Sequence, residues 1–312
     1  MNTADLQVRV VRKVSEALDI SSFELVNVDE RPLPAFSAGS HIDVHLPNGL
    51  TRQYSLCNNP SEGHRYLIGV LRDAASRGGS LAMHELVKEG DVLHISTPKN
   101  HFPLAHEASH SILLAGGIGV TPILCMAERL AIAGASFELH YCTRSAERTA
   151  FRERIASSSF ASRAAFHHDD GPSEQKLRID ELLKPVRPGV HLYVCGPKGF
   201  MDWLLEAARA GGWPAEQLHY EFFGAEVVKS DADAGFEVKL ASSGKVVAVA
   251  KDQTIVEALR SVGVEIPTSC EQGVCGTCLT RILEGEPEHK DMYLTPEEQA
   301  ANDQFTPCCS RS

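Results

Sequence analysis

Three cysteines are crowded into nine residues near the end of the chain. The stretch CEQGVCGTC contains Cys270, Cys275 and Cys278, and the next cysteines are the adjacent Cys308 and Cys309. A C-x4-C-x2-C run followed by a distant cysteine is the spacing of a plant-type [2Fe–2S] cluster, which four thiolates hold. The spacing therefore predicts such a cluster, with one of the two later cysteines as the fourth ligand.

Two glycines in the same loop, Gly273 and Gly276, favour the cluster interpretation. A loop around a cluster must bring backbone N–H groups close to the sulfides, and it often needs the positive φ that glycine adopts without strain. Zinc is the main alternative, but zinc sites usually contain two C-x2-C pairs, and only Cys275 and Cys278 form one here. Unrelated buried cysteines are the other alternative, and they fit poorly with the polar and glycine neighbours.

A glycine-rich turn lies in the middle of the chain. The stretch AGGIGVTPIL follows an apolar run, precedes a helical pattern and contains Gly116, Gly117, Gly119 and Pro122. Glycines at such a turn let the backbone approach a pyrophosphate at a helix N-terminus. The turn does not match the G-x-G-x-x-G fingerprint, so by itself it is a weak signal.

A second turn of the same kind strengthens the prediction of a nucleotide site. In YVCGPKGFM an apolar run ends at Cys195, Gly196 and Pro197, and a helical pattern follows. Two such turns at the C-terminal edge of one parallel sheet would face the same crevice, where open α/β sheets bind ligands. Thr143 and Arg144 end another strand-like run, at the place where an adenosine ribose is normally bound.

Residue types suited to a phosphate and an aromatic ring occur in the first hundred residues. RQYSLCN contains Arg52, Tyr54 and Ser55, and SRGGS contains Arg77. Arginine N–H groups bind phosphate, a tyrosine ring stacks on another ring, and a serine hydroxyl can bond to a ring nitrogen. On residue types alone the case is loose, because arginine and tyrosine on a strand are commonly ordinary surface residues.

Hydropathy patterning divides the chain into three parts that would position these residues. Residues 1–104 alternate apolar and polar positions in short runs, which is typical of an antiparallel sheet or a small barrel. Residues 105–225 alternate strand-like and helical runs, which predicts βαβ units and a parallel sheet. A polar linker at 226–235 precedes residues 236–312, where we expect a hairpin, a helix with Thr254 as N-cap, and the cysteine loop.

Composition narrows the class of protein. The chain has 312 residues, of which 43% are hydrophobic, enough for two or three domains. Its net charge of -11 argues against binding to nucleic acid. We find no export signal or transmembrane helix and expect a cytoplasmic monomer. In that reducing compartment, metal ligation, catalysis or burial explains nine cysteines better than disulfides do.

The whole set of motifs resembles the phthalate dioxygenase reductase family, which includes the reductases of aromatic O-demethylases. R-x-Y-S, G-G-x-G-x-T-P, C-G-P and C-x4-C-x2-C occur in the family's order over nearly the whole chain. The resemblance implies a multidomain fold with an antiparallel flavin barrel, an α/β NAD domain and a C-terminal α+β ferredoxin domain. It implies an oxidoreductase that passes electrons from NAD(P)H through FMN and the cluster to a Rieske-type terminal oxygenase.

The resemblance also implies roles for individual residues. Tyr54 would pack on the isoalloxazine with Ser55 near its N5, Thr121 would lie between the flavin and the nicotinamide, and Cys195 would lie beside the nicotinamide. Catalysis then consists mainly of aligning the two rings for hydride transfer. The other residues implied at the flavin or its phosphate are Arg52, Arg77, Gly78, Gly79, Ser80, Glu221 and Phe223.

The resemblance selects among the cofactor alternatives. It favours FMN over FAD and NADH over NADPH, although Arg144, Ser145 and Arg148 leave NADPH open. It selects Cys308 as the fourth ligand, because the 29 residues between Cys278 and Cys308 (279–307) match the family's long spacing. Cys309 then stands where the family usually has an apolar residue, and related domains continue further beyond this point.

Electron counting orders the three parts. NAD(P)H delivers two electrons together as hydride, whereas an iron–sulfur cluster accepts one, so a flavin must stand between them. Two further hypotheses stay open at this stage. One is a stand-alone diaphorase or reductase for another acceptor, and the other is a non-catalytic redox carrier or sensor, which would not reduce an artificial acceptor with NAD(P)H.

Overall fold

The computed structural model describes residues 6–224 and 234–312, and its chain forms two compact units, Met1–Phe222 and Phe223–Ser312. Most of the linker predicted at 226–235 lies outside the described residues. The predicted domain boundaries stay predictions. Among the described helices, none has the length and hydropathy that crossing a membrane requires.

The first part of unit 1 is an antiparallel sheet. Its strands are β1 Leu6–Ala17, β2 Ile20–Asn27, β3 Ser40–His45, β4 Thr51–Ser55, β5 Tyr66–Leu71, β6 Val92–Ile95 and β7 Lys99–Asn100, with helix α1 at Gly79–Glu85. They are ordered β4-β3-β6-β1-β2-β5, and β7 pairs with β3. A bridge between Leu56 and Ile68, and a 2.8 Å bond from the Cys57 N–H to the Leu67 carbonyl, bring β5 back to the end of β4. The predicted barrel architecture is confirmed.

Strand alternation decides which site residues share a face of the barrel. In the β3–β4 pair, Ile42 stands opposite Tyr54 and His41 opposite Ser55. Ile42 is fully buried in the barrel core, and Tyr54 packs against that core. Because successive side chains of a strand point to opposite faces, Ser55 lies on the outer face.

The second part of unit 1 is a parallel sheet between helices. Its elements are β8 His110–Gly116, α2 Val120–Ile132, β9 Phe137–Thr143, α3 Arg152–Ala156, β10 Ala164–His168, α4 Ile179–Leu182, β11 Val190–Cys195, α5 Lys198–Ala210 and β12 Leu218–Glu221. The order is β10-β9-β8-β11-β12, with every pair parallel. Leu113 and Leu139 pack on the α2 side, and Ile112 and Leu192 on the α4–α5 side. The predicted βαβ arrangement is confirmed.

The strand order reverses between β8 and β11. From β8 the chain adds β9 and β10 on one side, and then β11 and β12 on the other. Open α/β sheets bind ligands beyond the C-terminal ends of the strands at such a reversal. Both predicted nucleotide turns begin there, because one follows β8 and the other follows β11.

Unit 2 holds a small hairpin and the cysteine loop. Its elements are β13 Phe236–Lys239, β14 Val246–Val249, α6 Ile255–Ser261, β15 Thr280–Arg281, α7 Pro296–Ala301 and β16 Gln304–Phe305. Thr254 is the predicted N-cap of α6: its hydroxyl accepts the Glu257 N–H at 3.1 Å, and the Glu257 carboxylate accepts the Thr254 N–H at 2.8 Å. Such a reciprocal cap stabilises a helix by about 1 kcal/mol.

The last residues of unit 2 are tied to its hairpin. The Arg311 guanidinium donates to the carbonyls of Ala234, Ala250 and Gln253 at 2.9 to 3.2 Å. It also lies over the Phe236 ring, 5.1 Å from the ring centre. These contacts give the small core of this unit an additional anchor next to the cysteine loop.

Candidate functional site

The two predicted nucleotide turns pack against each other through their backbones. β8 and β11 pair in parallel, with Ala115 opposite Cys195. A Cβ on Gly119 would overlap the Cys195 carbonyl, and a Cβ on Gly196 would stand 3.0 Å from the Cα of Gly116. Glycine is therefore required for this approach, and the turns meet at the reversal of the strand order.

One glycine of this pair of turns faces open space. Gly117 has a φ of 52°, in the left-handed region, and a Cβ built on it meets nothing within 4 Å. Pro197 is the N-cap of α5, whose first turn carries Phe200 against Gly116 and Gly196. Bare backbone beside two helix starts is the cradle that a pyrophosphate needs, so the residues present fit a dinucleotide.

Thr121 lies where the parallel sheet meets the barrel. It is 1% exposed, and its hydroxyl donates to the Ile118 carbonyl at 3.1 Å. Its methyl group is 2.8 Å from the place where a Cβ on Gly69 of β5 would stand. The side chain thus fixes the turn against the barrel, together with the neighbouring buried Pro122. Its place between two rings stays a prediction.

Three of the predicted site residues come together at the ends of β4, β11 and β12. Cys195 stands opposite Glu221 in the register of β11 and β12. The Ser55 hydroxyl lies 3.5 Å from the Glu221 carboxyl, to which it donates. Burial raises the pKa of Cys195 well above its usual range, and the Glu221 charge acts in the same direction. Cys195 is therefore a neutral thiol that shapes the site.

Of these three residues, Glu221 has the environment that best suits proton exchange. Burial raises its pKa to about 7, and the hydrogen bond from Ser55 opposes this effect. The side chain nevertheless stays partly exposed. A carboxyl that is surrounded by protein atoms but still reached by solvent is expected at the base of a crevice. Its carboxyl changes protonation state near neutral pH, as a group that exchanges protons with a ligand must.

The predicted phosphate residues of the barrel are also brought together. A Cβ on Gly79 would stand 2.6 Å from Cγ and 2.7 Å from Nε of Arg52, so the arginine lies across the start of α1. Gly78 has a φ of 90°, which only glycine adopts readily. Arg77 is exposed, and the Ser80 hydroxyl accepts the Asp73 N–H at 3.2 Å, which closes the loop.

Tyr54 carries an orphaned polar atom. Its hydroxyl is buried and has no hydrogen-bond partner among the described residues. Burial raises the pKa of this hydroxyl, so it stays protonated. A buried hydroxyl without a partner costs about 1–3 kcal/mol, a cost that a polar cofactor atom would remove. The orphaned hydroxyl and the arginine beside Gly79 fit a flavin cofactor, which carries both a phosphate and an aromatic ring system.

The two residues predicted at the adenosine ribose, Thr143 and Arg144, have different environments in the structure. The Thr143 hydroxyl lies 2.8 Å from the hydroxyl of Thr149 and 3.0 Å from Nδ1 of His168, so it holds the end of β9 together. Arg144 is exposed and open to a ligand. Arg148, one of the three residues that left NADPH open, forms an ion pair with Asp19 at 3.5 Å.

Two acidic residues next to the ribose position were missed in the sequence. The backbone N–H of Asp169 bonds to the Thr143 carbonyl at 3.0 Å, and that of Asp170 bonds to the Arg144 carbonyl at 3.2 Å. Both residues belong to the stretch HHDD, which by itself carries no ligand-binding pattern. Only the register of β10 against β9 places the backbone of these residues beside that of Thr143 and Arg144, and a single sequence does not give that register.

The thiols predicted to hold the cluster meet in unit 2. Cys270 contacts the thiols of Cys275 and Cys308, and Cys278 also contacts Cys308. Contact with Cys275 and Cys308, helped by backbone N–H groups, holds the pKa of Cys270 below its usual range. Among the described residues, no group of three or more His, Cys, Asp or Glu side chains is arranged to hold a metal ion. A two-iron cluster needs four thiolates, and the contacts among these thiols fit it.

The loop glycines allow the chain to pass close to its neighbours. Gly273 and Gly276 have φ values of 71° and 66°. A Cβ on Gly276 would overlap the Tyr293 ring, and one on Gly273 would meet Asp291 at 2.9 Å. The predicted need for glycine here is explained by both sterics and conformation.

Cys309 has a different environment from its neighbour. Its thiol lies 3.2 Å from the Thr306 hydroxyl, on the side of the loop where a Cβ of Gly273 would stand. Cys308, in contrast, contacts the thiols of Cys270 and Cys278 as well as that of Cys309, and its role as the fourth ligand stays a prediction. Phe223 begins unit 2 and is 38% exposed, and its place near the flavin stays a prediction.

Comparisons with known proteins decide the family. Residues 238–312 match the model of the 2Fe-2S iron-sulfur cluster binding domain. The chain is 57% identical over 304 residues to the vanillate O-demethylase oxidoreductase of Pseudomonas putida, covering 97% of this chain and 96% of that protein. It is 40% identical over 308 residues to the phthalate dioxygenase reductase of Burkholderia cepacia, covering 98% and 94%. The chain belongs to the phthalate dioxygenase reductase family.

A solved structure supports the same assignment. The phthalate dioxygenase reductase structure, described as modular for electron transfer from pyridine nucleotides to [2Fe-2S], superposes with a TM-score of 0.81 at 39% identity. The match covers 99% of this chain and 95% of that one. This member of the phthalate dioxygenase reductase family is thus an NAD(P)H-dependent oxidoreductase. Electrons pass from NAD(P)H through a flavin to the [2Fe–2S] cluster, as the sequence predicted.

Proposed function

We propose that this protein is the NADH-dependent reductase of an aromatic O-demethylase, and that it delivers electrons through FMN and the cluster to a Rieske-type oxygenase. The observation that carries the proposal is the identity of 57% over 97% of the chain to a vanillate O-demethylase oxidoreductase. The geometry supports it, because the nucleotide turns and the Ser55–Glu221 pair belong to one unit. The proposed class of final substrate is a methoxylated aromatic acid.

The protein's own residues bind and align the cofactors. Bare backbone at Gly117 and the start of α5 would hold the pyrophosphate, while Cys195 and Thr121 fix the shape of the nicotinamide side. Arg52 would hold the flavin phosphate, and Tyr54 would donate its hydroxyl to a cofactor atom. The flavin, when bound, converts a two-electron transfer into single-electron transfers. Each side chain therefore contributes binding, orientation or a proton rather than electrons.

The Ser55–Glu221 pair is the proposed proton connection. A bound flavin would exchange protons with nearby groups as it gains and loses electrons. Glu221, with a pKa of about 7, can hold or release a proton in the working pH range. Ser55 lies 3.5 Å away and would carry the proton between the carboxyl and the ring.

The preference for NADH rests on charges at the end of β9. Arg148 is engaged with Asp19, which leaves Arg144 as the exposed cation. The backbone N–H groups of Asp169 and Asp170 bond to the carbonyls of Thr143 and Arg144, so two acidic residues adjoin the end of β9. Carboxylates favour a ribose hydroxyl and disfavour a 2′-phosphate.

The test of the function is reconstitution with an oxygenase component. The purified reductase would be mixed with the oxygenase of a vanillate O-demethylase, and NADH and oxygen consumption would be measured with and without vanillate. The oxygenase of a phthalate dioxygenase with phthalate serves as the control pair. We expect vanillate-dependent consumption of both. NADH-dependent reduction of cytochrome c without coupling to either oxygenase would instead favour a stand-alone reductase.

The flavin itself gives a separate prediction. Acid extraction followed by chromatography is expected to release about one equivalent of FMN per chain. The family uses FMN, and Arg52, which would hold a single phosphate, lies against the first residue of α1. Recovery of FAD alone would contradict this assignment. The extraction does not depend on the identity of the oxygenase.

The pH dependence of flavin reduction tests Glu221. We expect the single-turnover rate of flavin reduction by NADH to change with an apparent pKa near 7, and Glu221→Gln to abolish this dependence. The carboxyl of the native protein is neutral below this pH and charged above it, whereas the amide does not titrate. Stopped-flow bleaching of the flavin from about pH 5.5 to 8.5 would measure it.

The control for this variant is Glu216→Gln, which changes an exposed carboxyl just before β12. It is expected to keep the native profile. Because the folded-state pKa of Glu221 is raised, its contribution to stability is present below about pH 4.5 and is lost as pH rises through 7. An unchanged rate profile in Glu221→Gln would show that another group titrates.

A further inference from the structure

A strained residue lies directly after the first cluster ligand. Glu271 has a φ of 54°, in the left-handed region that glycine usually occupies. Gly273 and Gly276 meet the same requirement in this loop with glycine. A non-glycine residue held in this region costs about 1 kcal/mol and persists where its surroundings impose it. The side chain of Glu271 must therefore have contacts that offset the strain.

The Glu271 carboxylate is held from two sides. Its Oε1 accepts a hydrogen bond from the Thr268 hydroxyl at 3.3 Å and lies 3.5 Å from Nη2 of Arg260. The side chain is 23% exposed, whereas that of Arg260 is 56% exposed. An ion pair this exposed contributes little to global stability. Its effect is local, because it connects the loop to a helix.

That helix is a fixed support. α6 starts with the reciprocal cap of Thr254 and Glu257 and packs Leu259 into the core of unit 2. Val256, one turn before Arg260, packs against the cluster cysteines Cys278 and Cys308. Arg260 thus reaches Glu271 from a helix whose position relative to the cysteines is set by packing.

The left-handed turn at Glu271 aims a backbone donor at a cluster ligand. The next residue, Gln272, directs its N–H to the sulfur of Cys270 at 3.3 Å. The direction of this N–H follows from the backbone at residue 271, because one peptide plane separates them. N–H groups directed at the ligand sulfurs stabilise the added electron and raise the reduction potential of a cluster.

We propose that Glu271 is a positioning residue: its contacts with Arg260 and Thr268 lock the left-handed turn that points the Gln272 N–H at the Cys270 sulfur. This contact raises the reduction potential of the cluster and slows its loss. The proposal concerns the cluster alone and is independent of the oxygenase partner. It predicts that Glu271 and Arg260 act as one unit on the cluster although neither supplies a ligand.

The test uses the full chain with its cofactors and five variants. Glu271→Ala removes both contacts, Glu271→Gly removes them but relieves the backbone strain, and Arg260→Met removes one contact without altering the loop. Lys239→Met, at an exposed position on β13, is the matched control for loss of a charge. The fifth variant is the double variant Arg260→Met/Glu271→Ala.

Two readouts that do not involve turnover separate the outcomes. The midpoint potential of the cluster would be followed by electron paramagnetic resonance in a redox titration, and cluster loss by the half-time of bleaching with a chelator. We expect Glu271→Ala to disfavour reduction about threefold, which is about 30 mV for a one-electron couple, and to shorten the half-time several-fold. Arg260→Met is expected to act in the same direction, and the double variant to equal Glu271→Ala.

The glycine variant decides between side chain and backbone. If the contacts of Glu271 with Arg260 and Thr268 act as proposed, Glu271→Gly also lowers the reduction potential of the cluster and loses the cluster faster than the native protein. This is expected although glycine adopts the positive φ at this position without strain. A glycine variant with native or higher potential and native retention would overturn the proposal. Additive effects of the two single variants, or an effect of Lys239→Met of the same size, would also overturn it. Flavin reduction by NADH should be native in every variant, which shows that unit 1 is intact.

Discussion

Cys308→Ser is expected to remove the cluster, whereas Cys309→Ser is expected to keep it. The two cysteines are adjacent, but their thiols lie in different surroundings. Cys308 contacts the thiols of Cys270, Cys278 and Cys309, whereas the Cys309 thiol contacts only Cys308 among these thiols and also lies 3.2 Å from the Thr306 hydroxyl. A serine at 309 preserves the volume and can still bond to Thr306. A serine at 308 takes one of the four thiolates from the iron site.

The measurements distinguish the cluster from the rest of the electron path. In Cys308→Ser we expect the iron content to fall from about two per chain to well under half of that. NADH-dependent reduction of cytochrome c should fall at least about tenfold, because this acceptor takes electrons singly from the cluster. Flavin reduction by NADH, measured in a single turnover, should stay near the native rate.

Cys309→Ser is the matched control because it makes the same atomic change one residue away. It should retain iron and cytochrome c reduction within about twofold of the native protein. Cluster loss in Cys309→Ser together with retention in Cys308→Ser would reassign the ligand. Loss of flavin reduction in either variant would show damage beyond the cluster, and thermal unfolding of unit 1 would then be measured.

The sequence predicted what local patterns determine. The C-x4-C-x2-C spacing, the capped start of α6 at Thr254 and the alternation of strands and helices each depend on neighbouring residues, and the structure agrees with them. The family resemblance extended this to the site residues, whose binding roles stay predictions. The contacts themselves are consistent with those roles, since Ser55 meets Glu221 and Arg52 meets Gly79.

The remaining features depend on contacts between distant segments. The carboxyl of Glu221 has a pKa near 7 because of burial that no local pattern indicates. Asp169 reaches the ribose edge through the register of β10 against β9, and the strain at Glu271 is a property of the folded loop. The Thr143 hydroxyl contacts Thr149 and His168 at the end of β9, contacts that the sequence does not indicate, and its role at the ribose stays a prediction. Each of these depends on tertiary packing, which one sequence does not specify locally.

Gly119→Ala is expected to displace the two nucleotide turns of unit 1 and to slow hydride transfer. Gly119 has a φ of -60°, which alanine adopts easily, so the substitution creates no backbone strain. The added Cβ would instead overlap the backbone carbonyl of Cys195, which cannot rotate away as a side chain could. The turns after β8 and β11 would have to move apart, and such overpacking costs about 1–3 kcal/mol.

This displacement acts directly on hydride transfer. The two turns form the cradle at the reversal of the strand order, and Cys195 stands opposite Glu221 in the same sheet. A shift of about 1 Å in the alignment of reacting groups can reduce a rate about a hundredfold. We therefore expect kcat/KM for NADH to fall by about ten- to a hundredfold, with electron transfer from a chemically reduced flavin to the cluster unchanged.

A second glycine variant controls for the general effect of the substitution. Gly134→Ala changes a glycine just after α2 with a φ of 67°, where a Cβ would meet nothing within 4 Å. It should lose about 1 kcal/mol from its strained backbone while keeping native kinetics with NADH. If Gly119→Ala loses only stability, as this control does, the contact between the two turns holds the fold together but does not set the alignment of the rings. A specific loss of kcat/KM in Gly119→Ala instead ties the backbone contact between Gly119 and Cys195 to hydride transfer.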